Sequence, residues 1–253
     1  MSTTQPVMTT GSFNVRVTPK RSSVQPISFP ESQAPLSQLF VDIPQADYTK
    51  ILSFGRSVKI ARRQTMFFAG DAVKEVLLLT EGCMKITLLS ETGGAVILRL
   101  VGPGEVIGSV GHTEQATHSS SAEALASSRV VVWNGATFER LLMEYPTLRR
   151  NTLHIMERRL ATLEARFREV STQQVAQRVA RQLIRLLPQV GQEINGAIEV
   201  KLSREDLAQM TGTTLFTVSR LLSTWEQQGL VTLRRLTVVV SNPMGLLSIC
   251  EFR

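Results

Sequence analysis

The stretch that decides the fold covers residues 203–225 and reads SREDLAQMTGTTLFTVSRLLSTW. Ser203 and Asp206 have the spacing of a capping box, in which the serine oxygen accepts from first-turn amides and the carboxylate accepts in return. The pattern predicts a short helix that meets Gly212, and a second helix that starts at Thr213 or Thr214 and runs through residue 225.

Three residues predict how these two helices cross. Counted from Arg204, the small Ala208 is fifth, Gly212 is ninth and Val218 is fifteenth. A small residue lets the helices approach closely, a glycine tolerates positive φ in the turn, and a β-branched apolar residue pins the second helix. The spacing is that of a helix-turn-helix.

The outward side of the second helix carries the candidate chemistry. In helix-turn-helix proteins its N-terminal end enters the major groove of DNA, where Arg220 could contact guanine through two hydrogen bonds. Beyond Gly229, the runs 230–233 and 236–240 predict a two-stranded wing with a basic tip that reaches a phosphate. The candidate DNA-binding residues are Ser203, Arg204, Thr214, Leu215, Phe216, Thr217, Ser219, Arg220, Arg234 and Arg235. The alternative is a small helical domain that binds protein, which an exposed Phe216 would suit and the basic tip would not.

The sequence upstream changes character twice. Residues 1–35 are rich in Ser, Thr, Gln and Pro and are interpreted as a disordered tail. From about residue 57 to 133, short apolar runs alternate with glycine turns, which predicts an antiparallel sandwich or roll. The runs are Val76–Leu79, Ile86–Leu89, Val96–Val101 and Val130–Trp133.

A long helix is predicted to follow the strands and to start near Pro146. Its apolar residues are spaced 3, 4, 3, 4, 3, which is the seam of a parallel coiled-coil dimer. They are Leu153, Met156, Leu160, Leu163, Phe167 and Val170. The alternative is a helix packed on the core of its own domain.

A further helix is predicted from Gln173 to Leu187, stopped by Pro188, and then a strand over residues 197–202. The predicted domains are thus a tail (1–35), a roll (36–144), a dimerisation helix (145–171) and a winged helix-turn-helix (172–253).

Composition narrows the class of protein. The chain has 253 residues, of which 43% are hydrophobic, with a net charge of +7 and two cysteines. It has no apolar run that could span a membrane and no signal-peptide pattern at its start, so a cytoplasmic location is expected. No nucleophile–base set, metal-ligand spacing or phosphate loop appears, so neither an enzyme nor a metal site is expected. The basic excess permits nucleic-acid binding without requiring it.

The order of roll, long helix and winged helix-turn-helix resembles the bacterial regulators of the cyclic-AMP receptor protein/FNR family over about residues 36–245. The most specific parts are Thr217–Leu222 and the roll glycines Gly70, Gly82, Gly104 and Gly108. The resemblance implies an α+β fold with a cyclic-nucleotide-binding-like antiparallel β-roll. It also implies a homodimer that binds an inverted repeat of double-stranded DNA, with RNA polymerase as a further partner.

The sequence departs from the family where the family binds cyclic AMP. The family glutamate that would hold the ribose is Ser109 here, and the arginine that would pair with the phosphate is Ser119 or Ser120, depending on one gap. Arg159 matches a pocket arginine, but Leu163 replaces the polar residue that would bind adenine. The candidate effector pocket comprises Gly108, Ser109, Ser120, Ser121, Arg159 and Leu163. Because an arginine–phosphate pair is the strongest contact of such a pocket, cyclic AMP is not the expected ligand.

No cofactor is expected, although the sequence leaves haem open. His112 and His118 lie in or beside the effector loop, and both are interpreted as surface histidines. His154 is expected to be solvated. Cys83 is expected to be a small buried residue and Cys250 is not activated by its neighbours. The oxygen sensor of FNR-type proteins needs a cysteine cluster that this N-terminus lacks.

Overall fold

The computed structural model describes residues 37–89, 94–109, 116–194 and 196–251, and the predicted tail lies outside them. After a 3-10 turn at Gln38–Phe40 and helix α1 (Gln45–Ser53), eight strands of the described chain form a β-roll of two antiparallel sheets. Their orders are β1-β8-β3-β6 and β2-β7-β4-β5. The strands are β1 (Arg56–Ile60), β2 (Thr65–Phe67), β3 (Glu75–Glu81), β4 (Met84–Leu89), β5 (Ala95–Val101), β6 (Val106–Ile107), β7 (Ser121–Ala124) and β8 (Ser128–Asn134).

The central strands β3 and β8 are apolar on both faces, which explains their uninterrupted hydrophobic runs. Val130 and Val132 point between the two sheets into the interior of the roll. Val131 and Trp133 point the other way, into a second cluster formed with α1 and the helices that follow the roll. Because successive side chains of a strand face opposite sides, a strand buried on both faces reads as a continuous apolar run.

Helix α2 (Gly135–Glu144) leads into the long helix α3 (Pro146–Thr172). Pro146 occupies the first turn of α3, where its missing amide costs no hydrogen bond. Asn151 anchors the start of α3, because its side-chain amide donates to the carbonyls of Leu39 at 3.1 Å and Val41 at 2.7 Å. At the other end Gln173 is extended, with φ −106° and ψ 151°, so α3 stops there.

The C-terminal domain is a winged helix-turn-helix followed by an additional helix. Its elements are α4 (Val175–Val190), β9 (Gln192–Ile194), β10 (Ala197–Val200), α5 (Arg204–Thr211), α6 (Leu215–Gln227), β11 (Val231–Arg234), β12 (Thr237–Val240) and α7 (Pro243–Glu251). The predicted stop at Pro188 is wrong, because Pro188 lies within the last turn of α4. The amide of Gly191 still donates to the carbonyl of Leu187 at 3.1 Å, so helical hydrogen bonding continues past the proline.

The roll packs directly against the C-terminal domain. Ile97 and Leu100 of β5 belong to the same buried cluster as Leu183 of α4 and Leu207 of α5. Lys85 of β4 lies 3.8 Å from the carboxylate of Asp206 in α5.

The element order confirms the predicted roll, long helix and winged helix-turn-helix. Among the described residues, no helix is both long and apolar enough to cross a membrane.

Candidate nucleic-acid interface and effector pocket

The helix-turn-helix is stabilised by its own sequence. The Ser203 hydroxyl accepts from the amide of Asp206 at 2.9 Å, and the Asp206 carboxylate accepts from the amide of Ser203 at 3.3 Å. Gly212 ends α5 in the left-handed region, with φ 61° and ψ 46°, where a side chain would be strained. Thr214 then caps α6, because its hydroxyl accepts from the amide of Thr217 at 3.2 Å. The predicted capping box and the predicted turn at Gly212 are therefore present, and the cap at Thr214 is an additional feature that the structure shows.

One side of α6 is buried and the other is open to solvent. Val218, Leu222 and Trp225 fill the core of the domain. On the open side Phe216 is 77% exposed and Arg220 is also exposed. An alternative role for Phe216, packing against the wing, does not fit this exposure. Thr217 and Ser219 are half-buried beside them, and Leu215 is exposed at the first turn.

The wing carries a second exposed surface close to the start of α5. Arg234 is the last residue of β11, and Arg235 and Leu236 form the turn before β12. Leu236 has a positive φ of 57°. Both arginines are exposed, and Arg234 lies 4.0 Å from the Glu199 carboxylate. A groove separates the wing from α5 and α6, and its lining includes Ser203, Arg204, Leu215, Arg234 and Arg235. The structure thus brings five of the ten predicted DNA-binding residues to the lining of one groove.

Arg159 of α3 contacts the roll at the predicted effector pocket. The guanidinium of this α3 residue donates to the carbonyl of Gly108 at 2.7 Å and also to that of Val106. Arg99 of β5 donates to the same Val106 carbonyl at 3.0 Å and forms an ion pair with Glu105. Burial and the nearby Arg99 charge lower the pKa of Arg159 to about 9. Arg159 therefore joins α3 to the end of β6.

The other predicted pocket residues occupy different environments. Ser120 and Ser121 are buried, and the Ser121 hydroxyl accepts from the amide of Ala69 at 3.0 Å. Ser109 is half-buried. Leu163 is 46% exposed and lies with the apolar stripe of α3.

The interpretation of His118 as a surface residue is wrong. Its side chain is only 6% exposed, because the imidazole stacks on the ring of Phe67 beneath Gly108. Burial lowers the pKa of His118, an effect that the charge of Asp71 partly opposes. A loop position carries no periodic pattern, so this burial could not be predicted from the sequence. His112 lies outside the described residues.

The remaining candidate reactive groups are unremarkable in their chemistry. Cys83 is half-buried just before β4, and burial, followed by the charges of Glu105 and Asp206, raises its pKa to about 12. Burial likewise raises the pKa of Cys250. His154 is exposed and pairs with Glu157 at 3.1 Å. The described part of the chain holds no group of three or more His, Cys, Asp or Glu side chains placed to bind a metal ion.

The apolar stripe of α3 is exposed along its whole length. Its six members are between 46% and 77% exposed, namely Leu153, Met156, Leu160, Leu163, Phe167 and Val170. The alternative, a helix packed by this face on the core of its own domain, does not fit that exposure. The residues that do bury α3 against its own chain, such as Leu148 and Ile155, lie on another face.

Three charged residues near these sites were not predicted from the sequence to have a role. Arg99 of β5 donates to the Val106 carbonyl beside Arg159, and Glu169 and Arg178 connect helices at the end of α3. A charged residue between apolar positions ordinarily indicates a solvated face, and its partners here lie far away in sequence.

Comparisons with known proteins agree with this architecture. The sequence matches the family models for the Crp-like helix-turn-helix domain over residues 177–249 and the cyclic nucleotide-binding domain over residues 57–145. A CRP-like cAMP-activated global transcriptional regulator of Mycobacterium tuberculosis is 25% identical over 187 residues, which cover 73% of this chain and 84% of the relative. The transcriptional regulatory protein btr of Bordetella pertussis is 28% identical over 191 residues, 75% of this chain and 78% of the relative.

A solved structure shows the same fold. FixK2 from Bradyrhizobium japonicum matches with a TM-score of 0.70 and 20% identity, over 79% of this chain and 98% of that one. A β-roll joined by a long helix to a winged helix-turn-helix defines the class of DNA-binding transcription regulators. The chain belongs to the CRP/FNR family of these regulators, which are not enzymes.

Proposed function

We propose that this protein is a homodimeric regulator of transcription that acts in the cytoplasm and binds an inverted repeat of double-stranded DNA. The N-terminal end of α6 enters the major groove of each half-site, and the wing contacts the flanking phosphates. The observation that carries the proposal is the exposed side of α6, where Phe216 and Arg220 lie one helical turn apart beside a basic wing.

Dimerisation through α3 is supported by the exposed stripe. A stripe of six large apolar side chains on a helix costs free energy in water, and two such helices bury it by packing in parallel. The twofold axis of this dimer presents two α6 helices to successive major grooves on one side of the DNA. RNA polymerase as a further partner rests on family likeness alone.

Cyclic AMP is not proposed as the effector, although the Mycobacterium tuberculosis relative is named as cAMP-activated. In this chain Ser109 stands where the family has a ribose-binding glutamate, and Ser119 or Ser120 where it has a phosphate-binding arginine. Arg159 is already bonded to the carbonyls of Val106 and Gly108. If the roll binds an effector, its chemistry differs from that of a cyclic nucleotide held in the family's manner.

The test is selection of bound duplexes from a random pool by the full-length protein. We expect inverted repeats with a guanine in each half-site and with half-site centres about 10–10.5 base pairs apart. Arg220→Ala serves as the control that should lose the guanine preference. Recovery of no enriched DNA sequence, together with capture of a protein partner by the helical domain, would contradict the proposal in favour of a protein-binding module.

A further inference from the structure

The end of α3 and the start of the C-terminal domain are joined by buried charge. Glu169 lies in the last turns of α3, and its side chain is 12% exposed. Arg185 of α4 donates to both of its carboxylate oxygens, one of them at 2.8 Å. Arg181 of α4 approaches the same carboxylate at 3.9 Å. A carboxylate that accepts two hydrogen bonds from one guanidinium has little freedom to rotate, so this pair fixes α4 relative to α3.

Arg166 also connects α3 to α4. Arg166, one turn before Glu169 on α3, donates to the side-chain oxygen of Gln182 in α4 at 3.2 Å and to the carbonyl of Leu98 in β5. It therefore contacts α4 and the roll at once. Burial, followed by the charge of Arg185, lowers its pKa to about 10, so it stays protonated at neutral pH.

Arg178 extends this connection to the helix-turn-helix itself. Its guanidinium donates to the carbonyl of Gln173, the residue after α3, at 2.8 Å. It also donates to the carbonyl of Thr211 at the end of α5 at 3.1 Å. The turn before α6 is thus bonded, through one side chain, to the end of the dimerisation helix.

In the proposed dimer these contacts bear on the distance between the two α6 helices. In a dimer built on α3, the twofold axis follows the apolar stripe, and the position of α6 relative to that stripe is repeated in the partner. The separation of the two α6 helices therefore depends on the angle between α3 and α4. The main chain alone leaves this angle free to vary, because the residues between the two helices, Gln173 and Gln174, are extended. Side-chain contacts must fix it.

We propose that Glu169, through Arg185 and Arg181, is a positioning residue that sets the half-site spacing accepted by the dimer. The inference rests on the proposed function and adds a role that neither the exposed face of α6 nor the wing supplies. Glu169 lies at the junction of α3 and α4 and not on the exposed side of α6, so it should leave base preference within a half-site unchanged.

The experiment measures affinity for a series of inverted repeats whose half-sites are identical and whose spacing varies in single base-pair steps. Full-length wild type, Glu169→Gln and Arg185→Gln are compared, with Arg168→Gln as a control that removes an exposed charge from the same turn of α3. We expect wild type and Arg168→Gln to prefer one spacing sharply. In Glu169→Gln and Arg185→Gln the preference over neighbouring spacings should fall about tenfold, equivalent to ~1.4 kcal/mol.

Two further measurements keep the result interpretable. Selection on a single half-site should return the same bases for all four proteins, which shows that the helix-turn-helix is folded in each. The double variant Glu169→Gln/Arg185→Gln should lose no more of the spacing preference than either single variant, because the two residues act through one contact. Wild type that binds no DNA overturns the proposed function together with this inference. Wild type with a sharp optimum that both single variants retain overturns the inference alone.

Discussion

The imidazole of His118 stacks on the ring of Phe67, with centroids 3.6 Å apart and ring planes within 9° of parallel. A Cβ atom on Gly108 would lie 3.0 Å from Phe67 and 3.2 Å from His118, so the end of β6 passes directly over this pair. The same Gly108 carbonyl accepts a hydrogen bond from Arg159 of the long helix. The stacked pair is thus one contact away from the helix that carries the apolar stripe.

We expect His118 to make the protein sensitive to acid. Because burial lowers its pKa in the folded state, only the unfolded chain takes up this proton as the pH first falls below about 6.5. The contribution of His118 to stability is therefore complete above that pH and is lost as the pH falls further. Urea unfolding from about pH 7.5 to about pH 5.5 measures the effect.

The matched variants are His118→Phe, which keeps a flat ring against Phe67 without a titrating nitrogen, and His154→Gln at an exposed position of α3. The free energy of unfolding of His118→Phe should fall less steeply with acid than that of wild type, whereas His154→Gln should follow wild type. Equal slopes for wild type and His118→Phe would show that His118 does not govern acid sensitivity.

Phe216 should determine one base of each half-site. Family members with the usual helix carry a glutamate at this position, which accepts a hydrogen bond from the cytosine amino group, whereas a phenyl ring packs on a thymine methyl. We expect wild type to select thymine and Phe216→Glu to select cytosine at that position, with the guanine bound by Arg220 retained. Met244→Glu, at another exposed apolar residue of the domain, is the control. A selected base that does not change in Phe216→Glu would exclude base contact by Phe216.

The wing should contribute to affinity without contributing to specificity. Arg235 is exposed beside the groove next to α5, where a DNA phosphate would lie. Arg235→Gln is expected to weaken binding to all sequences alike and to reduce the slope of log affinity against log salt by about one per protomer. Lys74→Gln, an exposed cation on the roll, should leave the slope unchanged. The titration is repeated over a range of salt concentrations. An unaltered slope in Arg235→Gln would remove the wing from the DNA contact.

The stripe of α3 should be the dimer interface. Leu160 and Leu163 are 60% and 46% exposed, so charged replacements have little effect on the fold of one chain. In a dimer the same charges would be buried without partners. We expect Leu160→Asp/Leu163→Asp to sediment as a monomer and to lose affinity for the full inverted repeat. Arg158→Asp/Ala161→Asp, on exposed positions away from the stripe, should remain dimeric. A dimer that persists in the stripe variant would place the interface elsewhere.

Cyclic AMP should leave DNA affinity unchanged at physiological concentration. Ser109 lacks the carboxylate and Ser119 or Ser120 lacks the guanidinium that the family uses, and Arg159 donates to backbone carbonyls instead. Isothermal titration calorimetry measures binding, with the cAMP-activated Mycobacterium tuberculosis relative as the positive control. Saturable binding in the micromolar range by this chain would contradict the prediction.

The sequence predicted the helix-turn-helix well because its determinants are local. The capping box joins Ser203 and Asp206, three residues apart, and the turn at Gly212 directly follows α5. The strands of the roll with long apolar runs were equally visible. The short strands β1 and β7 were not, because their sequences RSVKI and SAEA contain few apolar residues and depend on pairing with distant strands.

Long-range contacts of polar residues account for what could not be predicted. The burial of His118 depends on Phe67, 51 positions away, and the role of Glu169 depends on Arg185 in another helix. Neither pairing follows a helical or strand period, so each residue taken alone indicates a solvated surface.

Two side chains of strand β5 in the roll are buried in the hydrophobic core of the C-terminal domain. Because Ile97 and Leu100 are buried with α4 and α5, loss of structure in the roll would uncover part of the winged domain, and the reverse also holds. The roll and the DNA-binding domain are therefore separate in function but joined in thermodynamics. We expect them to melt as one cooperative unit, so that a ligand or substitution that stabilises either part raises the melting temperature of both.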